Sequence, residues 1–79
     1  MPLTDALIKR IRELIKDRDI TQYELFKRSG VIPSTINMIL KGNVKTIKIN
    51  TLFDICFGLN IELSDFFACD YLKFENVER

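Results

Sequence analysis

The chain has 79 residues, 47% hydrophobic and 29% charged, and its 12 basic and 11 acidic side chains leave a net charge of +1. That is enough for one small domain with one core, and leaves no room for a separate catalytic lobe. No apolar run approaches the ~20 residues of a bilayer-crossing helix, and no signal-peptide pattern opens the chain, so a cytoplasmic location is expected. Two cysteines, Cys56 and Cys69, make no disulfide framework, and without any histidine there is no zinc-site spacing. Reduced thiols are expected.

The apolar residues recur at helical spacing from the start. Leu7, Ile8, Ile11, Leu14 and Ile15 form one stripe, which predicts a first helix over about Thr4 to Arg18 with that stripe in the core. Thr21 and Glu24 then have the spacing of a capping box, marking the start of a second helix over about Gln22 to Ser29. Gly30 stops it, because a left-handed residue is cheap for glycine. Pro33 suits the first turn of a third helix, about Pro33 to Lys41, with Gly42 as its stop. Leu25, Val31, Ile36 and Ile39 fall where two crossed helices would bury them against each other. This is the layout of a helix-turn-helix, with a row of small polar side chains on the free face of the third helix.

A loop from Asn43 to Lys48 leads to a fourth helix over about Ile49 to Leu59. Its apolar side is Leu52, Phe53, Ile55, Cys56 and Leu59, and Gly58 is read as its end. Ser64 suits the N-cap of a short fifth helix beginning Asp65-Phe66-Phe67, whose phenylalanines belong in the core or at a dimer seam. The tail, residues 68–79, carries Tyr71, Leu72, Phe74 and Val77 among polar residues. It could extend the fifth helix, lie against the domain or pair with a second copy. Cys56 reads as a small buried hydrophobe.

The near-neutral total hides an asymmetry. Residues 1–48 hold ten basic side chains against five acidic ones, and residues 49–79 hold two against six. A basic half coinciding with the helix-turn-helix is the electrostatic pattern for approach to phosphates.

Ile11, Leu14, Ile20-Thr21-Gln22, Glu24-Leu25, Ser29-Gly30-Val31, Ser34-Thr35-Ile36-Asn37, Ile39, Gly42, Thr51-Leu52, Ile55, Gly58-Leu59 and Leu63-Ser64-Asp65-Phe66-Phe67 stand in a fixed order over about Leu7 to Phe67. In these residues the chain resembles the phage-repressor-like XRE/Cro-type helix-turn-helix family. The resemblance implies an all-α, compact five-helix DNA-binding domain over residues 1–67, with the helix-turn-helix at helices two and three and residues 68–79 as a packing or dimerising tail. It implies a sequence-specific transcriptional regulator, a repressor more than an activator, that meets a double-stranded operator as a homodimer. No cofactor, metal, membrane or small-molecule partner is expected.

With the third helix in the major groove, the expected base readers are Pro33, Ser34, Thr35, Asn37 and Met38. Asn37 can pair with an adenine edge, Ser34 can donate or accept, and Thr35 can offer a methyl or a hydroxyl. Pro33 stands where the family often has a glutamine, which leaves it apolar contact only. Gln22 matches the family's glutamine that meets the DNA backbone, with Thr21 beside it, and Lys41, Asn43, Lys45 and Lys48 border the other side as phosphate clamps. Ile32 departs from the family by offering no capping hydroxyl. Phe26 replaces a small residue, so that either the crossing of helices two and three widens or the ring swings outward.

Catalysis is not expected: the carboxylates are scattered, no histidine can serve as a base, and no glycine-rich cradle precedes a helix. The alternative is a protein-interaction module of the same fold, antitoxin-like or binding another repressor through Phe66, Phe67 and the tail, with little DNA binding.

Overall fold

The computed structural model describes residues 1–79. Five α-helices, α1 Leu3–Asp17, α2 Gln22–Ser29, α3 Pro33–Leu40, α4 Ile49–Leu59 and α5 Leu63–Phe67, are followed by single 3-10 turns at Asp70–Leu72 and Phe74–Asn76. There is no strand; an isolated parallel bridge joins Pro2 to Glu78.

The stripe on α1 is buried as its spacing requires: Leu7, Ile8, Ile11 and Leu14 are closed off, with Ala6 beside them. They meet Leu25 of α2, Val31 of the turn, Ile36 and Ile39 of α3, Leu52, Ile55, Cys56 and Leu59 of α4 and Phe66 of α5 in one core. Burial of each such aliphatic or aromatic side chain contributes about 1.5–3 kcal/mol. No polar or charged side chain is buried. The core therefore carries no desolvated group that needs a partner.

The ends of the helices show how the sequence sets the turns. Thr21 and Glu24 form the capping box, each backbone N–H donating to the other's side chain at 3.0 Å. Gly30 takes φ 77° and its N–H donates to the Phe26 carbonyl, closing α2 in one left-handed residue. Gly42, also at φ 77°, follows α3, with the Asn43 N–H on the Met38 carbonyl and the Gly42 N–H on that of Ile39. The same pair of bonds ends α1 around Asp19 and α4 around Asn60, both left-handed without being glycine. Asp and Asn tolerate that conformation better than other residues.

Three expectations about α4 and α5 are corrected. Gly58 does not end α4; it lies inside the helix, fully buried, and Asn60 turns the chain. A Cβ at Gly58 would lie 2.8 Å from Ser29 Cβ and 3.0 Å from Ser29 N, so the missing side chain is what lets α4 rest on α2. Phe53 is not on the apolar side of α4 but stands outward, 53% exposed. Ser64 is not the N-cap of α5, which begins at Leu63, two residues before the expected Asp65, with Glu62 before it and no side-chain cap. Phe66 is wholly buried, whereas Phe67 is exposed and meets it edge-on at 5.3 Å.

The tail lies against the domain. Tyr71 Oη donates to the Glu13 carboxylate of α1, and Lys9 Nζ sits 4.4 Å from the Tyr71 ring centre. Partial burial and the bond to Glu13 together push the Tyr71 phenol well above its ordinary pKa. Leu72 packs on the core, and the terminal amine of Met1 pairs with Glu78 at 3.0 Å. Phe74 remains almost wholly exposed.

Candidate nucleic-acid interface

α3 is uncharged along its length, Pro-Ser-Thr-Ile-Asn-Met-Ile-Leu, and its two inward residues, Ile36 and Ile39, are buried. The 3.6-residue period then sends the intervening positions outward. Pro33, Ser34 and Met38 are exposed, and Thr35 and Asn37 are half-buried at the edges of the same face. All five residues predicted as base readers thus share one accessible surface.

The start of α3 has no side-chain cap, as Ile32 foretells, and no carboxylate in its first turn. Thr35 and Ile36 donate their N–H groups to the Ile32 carbonyl, while the Ser34 N–H has no partner within the chain. A helix start of this kind presents partial positive charge to whatever approaches it. The start of α2 is different. Its capping box uses the Thr21 hydroxyl as an acceptor and brings in the Glu24 carboxylate, which also meets Arg28 at 3.5 Å. The first-turn amides of Gln22 and Tyr23 remain without an intrachain partner, and both side chains are exposed.

On the far side of α3, Lys41, Asn43, Lys45 and Lys48 are all exposed along the turn and loop that lead to α4. That loop is held at one point, where Thr4 Oγ1 donates to the Lys45 carbonyl at 2.8 Å. The amino-terminal end of α1 therefore positions the backbone that carries the lysines.

The basic half of the chain is not one continuous field. Three of its charges, Arg10 and Arg12 of α1 and Arg18 just past its end, serve as caps for other helices. Arg10 donates through Nε to the Phe66 carbonyl at 2.8 Å and through a terminal nitrogen to the Asp65 carbonyl at 2.9 Å. Arg12 donates through Nε to the Leu40 carbonyl at 2.9 Å, and Arg18 does the same to Leu59 at 2.6 Å. α5, α3 and α4 each leave C-terminal carbonyls without helical partners, and a guanidinium satisfies them while opposing the negative end of the helix dipole. Sequence reading assigned these arginines to long-range attraction because charge counting cannot see a carbonyl. The lysines beside α3 are the cations that remain free for a ligand on that face.

Sequence reading also missed Tyr23, which is 65% exposed next to Gln22. Lys27 Nζ lies 5.7 Å from its ring centre, and Phe26 meets it edge-on at 6.1 Å. The phase of α2 could have found it, since burying Leu25 turns Tyr23, two residues earlier, to the opposite side of the helix. Phe26 itself is half-buried against the core, so its ring neither swings fully outward nor replaces Leu25. Cys56 is buried, and burial pushes its thiol up to about 11, with a smaller opposing pull from Arg10. It belongs to the core. No group of acidic, cysteine or histidine side chains is arranged to hold a metal.

Two short helices joined by a left-handed glycine turn, the second presenting a polar edge between a helix start and a lysine-bearing loop, define the helix-turn-helix class. The family model of Cro/C1-type helix-turn-helix DNA-binding domains matches residues 10–71, and the chain belongs to that family. It is a family of DNA-binding domains and not of enzymes. No curated protein and no solved structure matches the chain closely enough to count as a relative. No helix is long and apolar enough to cross a membrane.

Proposed function

We propose that the protein is a sequence-specific transcriptional regulator, acting as a repressor, that inserts α3 into the major groove of an operator. The observation that carries this reading is the uncharged, accessible edge of α3 within a domain of the Cro/C1-type family. Asn37 and Ser34 are the hydrogen-bonding readers of base edges, Thr35 and Met38 offer methyl contacts to thymine or sugar, and Pro33 contributes apolar contact. Each mismatched base pair would cost on the order of 1–3 kcal/mol.

Phosphate contacts come from both sides of α3. Gln22, with Thr21 at the head of α2, meets the backbone on one side, and Lys41, Asn43, Lys45 and Lys48 meet it on the other. The Thr21 hydroxyl accepts from the Glu24 N–H in the capping box, which leaves its O–H free to donate to a phosphate. A helix of eight residues reads only a few base pairs, so two copies related by a two-fold axis are proposed to read a palindromic site. Such a protein works in the cytoplasm with both thiols reduced.

Fluorescence anisotropy on selected and random duplexes, measured from low to physiological salt, tests the proposal. Affinity should fall steeply with salt for both, with the selected sequence bound far more tightly. Binding that barely responds to salt would remove the DNA reading. The rival reading, a protein-binding module, loses one of its anchors because Phe66 is wholly buried.

A further inference from the structure

α4 carries an exposed apolar ridge that neither the core nor the DNA-facing surface uses. Ile49, Phe53 and Phe57 are 61%, 53% and 70% exposed. They stand at i, i+4 and i+8, one of the ridges along which helices pack against each other. Taking about 200 Å² for each side chain, these fractions leave about 370 Å² of apolar surface. That lies within the roughly 300–600 Å² of a monomer's largest patch, a size that is often functional.

Beside the carboxyl-terminal half of this ridge lies an open groove of about 600 Å³, with Phe53, Phe57, Ile61 and Leu63 among its lining residues. Glu62 and Asp65 line it as well, and so does Arg18, whose guanidinium is engaged by the Leu59 carbonyl. The opposite end of the ridge is Ile49, preceded by Lys48 and lying at the positive start of the helix.

We propose that this ridge is the seam of a homodimer in which two α4 helices cross antiparallel about a two-fold axis at Phe53. It names the surface for the dimer invoked above. An axis at the middle residue of an evenly spaced triplet pairs Phe53 with its own copy and Ile49 with Phe57 twice, the self-complementarity that a two-fold interface demands. The same operation brings Ile49 of each copy to the partner's groove beside Phe57. It also brings Lys48 toward the acidic residues of that groove. The ridge alone supplies just under half of the roughly 800 Å² per partner of a standard interface, and the groove walls and these flanks add to it. Because Ile49 directly follows the lysine-bearing loop, the seam would leave the two loops flanking the axis.

Sedimentation velocity of the full chain, without DNA and at micromolar concentration, tests the seam apart from the DNA reading. The native protein should sediment as a dimer, and Phe57→Lys and Ile49→Glu should each be monomeric with unchanged helical content. Mixing those two variants should restore a dimer, because one ridge then places Glu against Lys while the other contact remains native. Phe74→Ser, in the separate apolar cleft formed with Leu3, Leu72 and Val77, should stay dimeric. A monomeric native protein, a dimeric Phe57→Lys, a mixture that stays monomeric, or dissociation by Phe74→Ser would each overturn the proposal. A dimer that ignores DNA would sink the operator reading and leave the seam standing.

Discussion

Gly58→Ala isolates the contact that sets α2 against α4. In a solvated helix this substitution stabilises by about 1 kcal/mol, since glycine is the poorer helix former. Here the new methyl would meet Ser29 Cβ at 2.8 Å, Ser29 N at 3.0 Å and Leu25 Cδ1 at 3.1 Å. The leucine methyl can rotate away, but Ser29 Cβ and N are fixed to the backbone of α2 and can yield only if the helix moves. Overpacking of this kind costs about 1–3 kcal/mol; because the clash is with backbone-fixed atoms, the upper part of that range applies, and set against the propensity gain it leaves a net loss of about 1–2 kcal/mol. For a domain of this size, each kcal/mol lowers Tm by about 4–8 °C. Thermal and urea unfolding followed by circular dichroism should therefore show a clear decrease. Ser29→Ala in the same chain should give no relief, because it keeps the Cβ that clashes. A Gly58→Ala protein as stable as the native one, or more so, would refute the claim that a missing side chain sets the spacing of α2 and α4.

Other expectations follow from the same geometry. Arg10→Ala should cost about 1–2 kcal/mol in urea unfolding by orphaning the Phe66 carbonyl, while the Asp65 carbonyl keeps the Ala68 N–H, and Arg10→Lys should recover only part, since an ammonium cannot reproduce the fork. Equal stability of the alanine variant and the native protein would contradict the capping role. The Cys56 thiol, held near 11 when folded against 9.0 in the open chain, keeps its proton longer in the native state. Its contribution to stability is thus intact below pH 9 and is lost as pH rises toward 11, a decline that Cys56→Ala should lack in urea titrations. Under native conditions at neutral pH a thiol reagent should modify Cys69 readily and Cys56 only on unfolding. In a binding-site selection, Asn37→Ala should relax base preference at one position per half-site, whereas Lys45→Ala should weaken all duplexes alike and flatten the salt slope by about one unit. The reverse pattern would exchange the two roles.

The sequence by itself determined the helices and the turn between α2 and α3, because those depend on neighbours a few residues apart. The apolar stripe of α1, the Thr21 and Glu24 capping box, the left-handed glycines at 30 and 42 and the proline at the head of α3 all act locally. The outward face of α3 followed from them, since burying Ile36 and Ile39 fixes the phase of an eight-residue helix. What only the tertiary structure decided were features that depend on distant parts of the chain. Gly58 reads like a stop signal until Ser29 is seen against it, and Asn60 takes over the turn. Arg10, Arg12 and Arg18 look like a field for phosphates until three helix ends, 28 to 56 residues away in the chain, claim their guanidinium groups. Phe53 reads as core by composition, yet the phase of α4 against α2 turns it outward with Phe57, because packing chooses which apolar residues of a mostly apolar helix are buried.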